Sequence, residues 1–408
     1  MTEWDKKNSK RKVLVFLILI ILFLLLAENK VFASGIEARK EALPADKSKR
    51  TDDMGLNSNI NVTDDMDINY DEVQQVIDEV LSGKDNINFE EYVSNLISGK
   101  TKFSLKQIGT DITNGILNEF KGNIGTLTSL LSVAIIAAVF TNFSHAFQNS
   151  QVAETGFYVA YLLLFSVLTA SFISAANLAA NTISKVLDFM TVLVPTYFIT
   201  VAFTSSASTS MVYYQATLFL ITFVDALLIR VVIPSINIYL IISMANNLSK
   251  EDLLSKLSEL MAVVIKWILR SLLAVVLGFN AIQGLILPVA DNLKKSVFMK
   301  AAGAIPGVGN ILGGVTESIL GAGILLKNAI GIVGVIIIII VCAVPIFKLA
   351  ATTLIYKISC AAVQPISDKR MLNCVNSSAE ASALLLETVF VGAVLFLLTI
   401  TIVAASTT

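Results

Sequence analysis

Residues 307–334 read GVGNILGGVTESILGAGILLKNAIGIVG, and this stretch decides how the rest of the chain is interpreted. Alternating steps of three and four residues collect small and polar side chains on one narrow helical face. In a bilayer, such a face lets another backbone approach closely or borders a polar path. We therefore predict an all-α membrane protein whose functional surface lies between helices. This face is the glycine seam: Gly307, Asn310, Gly314, Glu317, Gly321, Ile324, Asn328 and Gly331.

Glu317 is the one acid of the glycine seam, and it lies midway along it. Three interpretations remain open for this face. It packs against another helix and holds one hydrogen-bonded acid, it lines a conduit, or it couples to an ion. Packing is the first of the three, because small-residue faces in membranes more often serve helix contact than transport.

The composition favours a membrane environment. Of 408 residues, 55% are hydrophobic and only 15% are charged, and the mean hydropathy is +0.75. The formal net charge of −1 gives no basic domain that would indicate nucleic-acid binding. We therefore look for function within an apolar helical assembly.

The N-terminal third divides into three segments. Residues 1–33 combine a lysine-rich start, an apolar stretch and a small-residue cleavage site, which indicates a signal peptide or an N-terminal anchor. Residues 34–70 are too polar for a core and predict a flexible tether. Residues 71–126 predict amphipathic helices, which the signal-like start would place outside the cytoplasm. Their apolar stripes start at Val73 and Phe89, and a third helix starts at Ser104.

Residues 127–408 form the predicted polytopic membrane domain. Most of its apolar windows approach the ~20 residues that a helix needs to span a bilayer. We expect about seven to nine spanning or re-entrant elements. The windows are 127–147, 156–180, 187–205, 211–248, 261–287, 328–347 and 384–405, with 349–366 as a weaker candidate.

Charges and helix-breaking residues predict where these windows turn. Arg230 and Pro234 mark an expected break between two crossings within 211–248. Lysines at 294–300 and in 348–370 both favour the cytoplasm. The two can agree only if the chain between them crosses twice or re-enters. The candidate turn points are Gly331 and Gly334.

Asp225 and Arg230 are charged residues inside an apolar window. Five residues apart on a straight α-helix, they point about 140° away from each other. Partners on neighbouring helices are therefore expected for both. Structural pairing is the first interpretation and a transport role the second, because intramembrane charges are costly unless paired.

No enzymatic chemistry is indicated. His145 is the only histidine, which excludes a multi-histidine metal site within one chain. No phosphate-binding loop appears. We predict no catalytic residue, cofactor or metal, so any nucleotide energy would come from another subunit.

The stretch NAIQGLILPVADNLKKSVFMKAAGAIPGVGNILGGVTESILGAGILLKNAIGIVG at 280–334 resembles the stage III sporulation protein AE family. The run LVPTYFITVAF at 193–203 and the signal-like start fit the same family. The resemblance covers the chain from the signal to the last apolar window. Its motifs are moderately specific, and they carry no catalytic residues.

The resemblance implies a multi-pass protein of the mother-cell membrane around the engulfed forespore. Its implied partners are an ATPase and ring-forming subunits of the same sporulation operon, and stage II sporulation protein Q across the intermembrane space. Together they would form a secretion-like channel that supports late forespore sigma-factor activity. The alternative is a stand-alone secondary transporter of a small solute or ion, which would predict inverted repeats with paired broken helices.

Overall fold

The computed structural model describes residues 70–81, 88–98, 150–204, 207–248, 253–302, 309–365 and 367–406, and the single positions 125, 128, 132 and 135. For 283–302 and 309–320 it describes the helical backbone. All these residues belong to one compact unit, Val62–Thr408. The predicted signal or anchor 1–33, the third amphipathic helix and Gly307 lie outside the described residues. So does nearly all of the window 127–147.

Every described element is helical, as the sequence predicts. A π-helical turn, Leu228–Val232, joins α4 to α5. The helices are α1 (Asp71–Leu81), α2 (Phe89–Ile97), α3 (Ser150–Thr204), α4 (Ala207–Leu227), α5 (Ile233–Leu248), α6 (Ser255–Ala302), α7 (Gly309–Val363) and α8 (Lys369–Ser406).

Five stretches of the described chain are long and apolar enough to cross a membrane. This supports a multi-pass membrane protein, and the expected number of seven to nine spans is not reached within the described ranges. The stretches are Thr155–Ala202, Ser210–Leu248, Ser255–Ile282, Gly321–Val363 and Lys369–Thr401, of 48, 39, 28, 43 and 33 residues.

The structure corrects the predicted turns. The chain stays helical through Arg230 and Pro234, where the π turn replaces the expected break. Helix α7 runs without interruption from Gly309 to Val363, so the turn points expected at Gly331 and Gly334 are wrong. Proline is tolerated in buried membrane helices because neighbouring groups satisfy the freed backbone. The chain has Pro195 inside α3 and Pro345 inside α7.

Helix α8 is the centre of the bundle and packs against α3, α5, α6 and α7. Tyr356 of α7 contacts Ser171, whereas Gly334 of α7 contacts Leu193, so α7 and α3 are antiparallel. The start of α6 lies beside Asn246, which accepts the backbone N–H of Leu254 at 2.7 Å.

Helices α1 and α2 form a small amphipathic pair where the sequence places them. The amide of Phe89 donates to the side-chain oxygen of Gln74 at 2.8 Å, which joins the two helices. Asn88 caps α2 by accepting from the Glu91 amide at 2.9 Å. Burial of the Tyr70 phenol, together with Glu90 nearby, raises the pKa of Tyr70 to about 12. The apolar stripe with Val73, Ile77 and Phe89 is fully buried.

Candidate functional site: a charged band across an apolar bundle

Three long helices and the π turn meet at one height around Gly392 of α8. A Cβ atom on Gly392 would lie 3.2 Å from Leu228 of the π turn and 3.8 Å from Ile183 of α3. Cys342 of α7 lines the same small space as Ile183 and Gly392. Residues from α3, α7, α8 and the π turn therefore share one level of the bundle.

The height of α6 relative to Gly392 follows from its contacts with α5 and α8. Asn280 donates to the Thr399 hydroxyl of α8 at 3.3 Å. Because α6 starts beside the end of α5, where Ser243 contacts Ser377 of α8, α6 and α8 are parallel. Arg270 of α6 therefore lies close to the level of Gly392.

All five long helical stretches carry charged side chains within about two helical turns, ~11 Å, of this level. We call this set the charged band. It consists of Lys185 and Asp188 on α3, Asp225 on α4, Arg230 in the π turn, Lys266 and Arg270 on α6, Lys348 on α7 and Glu387 on α8.

The charged band divides the bundle into two halves. The apical half comprises 189–202, 210–224, 271–282, 321–341 and 391–401, and the basal half comprises 155–184, 231–248, 253–265, 349–363 and 369–386. Within these ranges the apical half has one charged residue, Lys327, and its side chain is 0% exposed. The basal half has exposed charges on three helices, including Lys357 and Glu380. Only the apical half therefore meets the requirement of a lipid-facing surface without charge.

The apolar stretches exceed the thickness of a bilayer. At 1.5 Å per residue, stretches of 39 to 48 residues are about 60–70 Å long, against a hydrocarbon core of about 30 Å. The apical part of α7, residues 321–341, alone matches the ~20 residues of one crossing. These stretches are therefore longer than one crossing of the hydrocarbon requires.

Asp225 and Arg230 both belong to the charged band. Asp225 interacts electrostatically with Asp188 of the neighbouring helix α3 and, more weakly, with Arg230. One carboxylate oxygen of Asp225 is buried and makes no hydrogen bond within the described part of the chain. The charged neighbour of Asp225 on another helix is thus a second acid, and the opposite charge that acts on it is Arg230, five residues further along the chain. The pairing expected across helices remains a prediction.

The charged band is also where α1 docks. The Lys185 ammonium donates to the backbone carbonyl of Val80 in the last turn of α1 at 2.8 Å, a favourable placement of a cation at a helix C-terminus. Glu79 of α1 interacts electrostatically with Asp188. The pair α1–α2 is therefore anchored at mid-height of the bundle.

The described part of the glycine seam changes its environment along α7. Gly321 is exposed, and a Cβ atom there would meet nothing within 4 Å. Asn328 is half-buried and Gly331 is buried. Asn310, Gly314 and Glu317 lie in the helical backbone of α7. The seam thus enters the bundle at its Gly331 end, and Gly321 has open space beside it within this chain.

The closest helix contacts occur at glycines that the sequence analysis missed as packing positions. A Cβ atom on Gly334 would lie 2.6 Å from Leu193 of α3 and 3.4 Å from Ile400 of α8. Gly334 lies three residues after Gly331, whereas the next step of the alternating spacing reaches Val335, so the seam pattern does not include it. Gly392 has no such pattern around it, and nothing in the sequence marks its contact with Leu228.

A polar network fastens the helices of the basal half. The Tyr239 hydroxyl donates to Glu380 at 2.9 Å, and the Asn376 amide donates to the other Glu380 oxygen at 3.2 Å. Lys357 donates to Asn376 at 3.2 Å. These bonds join α5, α7 and α8 through one exposed carboxylate. The sequence analysis identified neither Glu380 nor its partners.

Buried polar side chains also occur in the apical half. Asn280 is fully buried, and its carbonyl oxygen makes no hydrogen bond within the described part of the chain. Lys327 is fully buried as well. In the described ranges, no three His, Cys, Asp or Glu side chains are grouped so that they could hold a metal ion. The polar groups therefore serve helix contact or a polar path.

Comparison with known proteins gives one consistent result. The family model for stage III sporulation protein AE matches residues 87–407. The chain is 25% identical over 309 residues to stage III sporulation protein AE of Bacillus subtilis (strain 168), which covers 75% of this chain and 77% of that protein. No solved structure matches the chain.

Proposed function

Because the chain belongs to the stage III sporulation protein AE family, we propose that it is a membrane subunit of a secretion-like channel. The channel links mother cell and forespore during endospore formation and is needed for late forespore sigma-factor activity. The chain contributes helix-packing or conduit-lining surface and performs no catalysis of its own. Its partners are the ATPase and ring-forming proteins of the same operon, and stage II sporulation protein Q across the intermembrane space.

The charged band is the observation that carries this proposal. It separates an apical half, without exposed charge in its described ranges, from a basal half with exposed charges. The apical half crosses the mother-cell membrane, and the band lies at the bilayer surface. The basal half then extends about 30 Å beyond the hydrocarbon. Such a projection suits a subunit that bridges two membranes better than one confined to a single bilayer.

The same arrangement predicts the orientation of the bundle across the membrane. The signal-like start places α1 and α2 outside the cytoplasm, and α1 docks at the charged band through Lys185. The basal half therefore stands in the intermembrane space. Lysines 294, 295 and 300, on α6 beyond Asn280, lie at the cytoplasmic end of the apical half. The basic residues of 348–370, expected in the cytoplasm from the sequence, lie outside it.

The glycine seam supplies the channel surface. Its Gly331 end is buried in the bundle, whereas Gly321 has space for another protein or for water. A second helix against Gly321 would bury Glu317 and Asn310 on the same face. If the seam lines a conduit instead, the same residues face water.

A strain lacking the gene, complemented with the wild-type or a variant chain, tests the sporulation role. We expect the null strain to complete engulfment and then lose late forespore sigma-factor activity, measured with a forespore transcription reporter. Normal reporter activity in the null strain would overturn the proposal. Substrate-dependent flux through liposomes that contain this chain alone would favour a secondary transporter instead.

Cysteine accessibility in the same cells tests both the membrane topology and whether the glycine seam faces water. Single cysteines along 303–334 are labelled with a membrane-impermeant maleimide in a chain whose Cys342, Cys360 and Cys374 are replaced by alanine. Labelling at the periodic seam positions indicates a wet lumen, and uniform protection indicates close helix contact. A cysteine at exposed Lys357 is the topology control, because it is labelled from outside the mother cell only if the basal half is extracytoplasmic.

A further inference from the structure

Helix α6 is the peripheral helix of the bundle. It packs against α4, α5 and α8, and its apolar stretch is the least buried of the five described candidate spans. Its basal face exposes large apolar side chains in a row, and Trp267 is 71% exposed. The other members of this row are Leu257, Leu260, Val263 and Val264.

Lipid is a poor cover for this row. The row of apolar side chains lies in the basal half and ends at the charged band. It shares its helix with the exposed ion pair Lys256–Glu259, whose nitrogen and oxygen are 2.8 Å apart. Exposed charges of this kind are costly inside hydrocarbon. A contiguous apolar face outside the bilayer indicates contact with protein.

The charged band gives α6 a basic edge. Lys266 and Arg270 are exposed, one turn apart, on either side of Trp267. Neither side chain takes part in an ion pair within the described part of the chain. At this height, α6 therefore presents an aromatic side chain flanked by two cations.

The opposite flank of the bundle presents the reverse charge at the same height. Helix α1 packs on α3 and α7, away from α6, and the bond between Lys185 and Val80 holds its last turn at the charged band. Described residues of α1 and α2 include no lysine or arginine. The acids are exposed and comprise Asp71, Glu72, Asp78 and Glu79 on α1 and Asp188 on α3.

The described residues of this acidic corner carry more negative than positive charge. Glu79 and Asp188 face each other as like charges. The nearby Lys185 ammonium is bound to a backbone carbonyl. A cation from outside the chain would therefore relieve the repulsion.

From this complementarity we infer that copies of this chain associate side by side. The Lys266–Trp267–Arg270 edge of one copy binds the Glu79–Asp188 corner of the next, with the charged bands at equal height. Because the two surfaces are different, the contact is head-to-tail and continues from copy to copy, which closes into a ring or forms an open row. The inference goes beyond the proposed channel role and does not depend on it.

Disulfide cross-linking of the full-length chain tests this contact. The chain carries Lys266→Cys and Glu79→Cys, its three native cysteines are replaced by alanine, and it is oxidised in the membranes of a non-sporulating bacterial host. We expect a ladder of dimers, trimers and larger species. An absence of the ladder, a disulfide formed within one chain, or dimers from either single-cysteine variant alone would overturn the inference.

Charge reversal separates a docking contact from a folding effect. Lys266→Glu with Arg270→Glu, or Glu79→Lys with Asp188→Lys, should lower the oligomeric fraction in native gels about tenfold. The four changes combined should restore it. Lys256→Glu, an exposed change on the same helix below the row, is the matched control and should leave assembly unchanged. Failure of the combined variant to recover would contradict the proposed pairing.

The host for both experiments does not sporulate, so their outcome is independent of the channel role. An intact ladder together with normal late forespore transcription in a null strain would contradict the proposed function alone. Loss of the ladder with the expected sporulation defect would contradict the side-by-side contact alone.

Discussion

The apical and basal halves of this bundle are built from the same five helical stretches and are held together differently. In the basal half, hydroxyl, amide and carboxylate groups bond from helix to helix, as Tyr239 does with Glu380 and Tyr356 does with Ser171. In the apical half, helices approach closely at Gly334 through Leu193 and Ile400. Close approach of backbones at small residues is the typical helix contact within lipid, where side chains and lipid tails are equally apolar.

The difference shows that hydropathy alone does not locate the membrane. Both halves are apolar outside, yet only the apical half has no exposed charge in its described ranges. Along α7, the apical range 321–341 has no exposed charge and matches the ~20 residues of one crossing, whereas the whole apolar stretch of 43 residues does not.

Placing a charge on the outer surface of each half should give the largest difference between the two halves. Phe219 is 73% exposed in the apical half and Ile241 is 55% exposed in the basal half. We expect Phe219→Asp to cost about 3 kcal/mol of membrane insertion, and Ile241→Asp to cost much less. The membrane-inserted fraction after alkaline extraction measures both. Equal losses would break the distinction between the halves.

The close contact in the apical half should be the next most sensitive point. Gly334→Ala pushes a methyl group against Leu193, so we expect a loss of about 1–3 kcal/mol in the free energy of unfolding. Gly278→Ala is the matched control, since a Cβ atom there would meet nothing within 4 Å. It should stabilise α6 by about 0.5–1 kcal/mol through helix propensity. Unfolding in detergent micelles compares the two, and equal stability of the variants would refute close packing at Gly334.

Basal polar bonds should contribute less individually. The hydroxyl oxygens of Ser243 and Ser377 are buried and 2.7 Å apart. We expect Ser243→Ala to cost about 1 kcal/mol in the free energy of unfolding. Ser235→Ala, which removes a basal hydroxyl that donates to the carbonyl of Val231 four residues earlier, should change stability by less than about 0.5 kcal/mol. An equal or larger loss at Ser235 would mean that interhelix bonds are not what stabilises the basal half.

The last effect is confined to high pH and to the start of α1, where Tyr70 packs beside Phe89 of α2. The neutral phenol of Tyr70 is favoured in the folded pair, with its pKa raised from 10.0 to about 12. Its contribution is therefore complete below pH 10 and is lost as the pH rises from 10 towards 12. Amide hydrogen exchange of 71–97 measures this loosening. Tyr70→Phe should abolish its pH dependence, and an unchanged profile in that variant would exclude the phenol as the cause.

The amphipathic pair and the apolar windows could be predicted from the sequence because both depend on local periodicity. The turns between membrane spans could not be predicted from local periodicity. Lys185, Arg230 and Lys348 interrupt hydropathy, and the sequence analysis placed window boundaries beside them. In the structure these charges lie on continuous helical stretches at one height, and Lys185 bonds to the carbonyl of Val80 on another helix. A charged residue in an apolar run is ambiguous until its neighbours across the bundle are known.

The glycine seam illustrates the same limit. Its spacing correctly predicted a helix through Gly314 and Gly331, but spacing cannot tell which end of a face enters a bundle. Gly334 became the tightest contact because Leu193 happens to lie opposite it. Partners so distant in sequence leave no local signal.

Lys327 and Gly334 lie seven residues apart, so they share one side of α7. Around them the helix is almost uniformly aliphatic, with the run IIIII at 336–340. A helix that is aliphatic on every side has no preferred rotation about its own axis. Turning α7 by half a revolution would move an ammonium group from the protein interior into acyl chains and replace the glycine at the crossing with a bulky side chain. Lys327 and Gly334 thus fix the rotation of α7 about its axis, and with it the orientation of the longest aliphatic run in the chain.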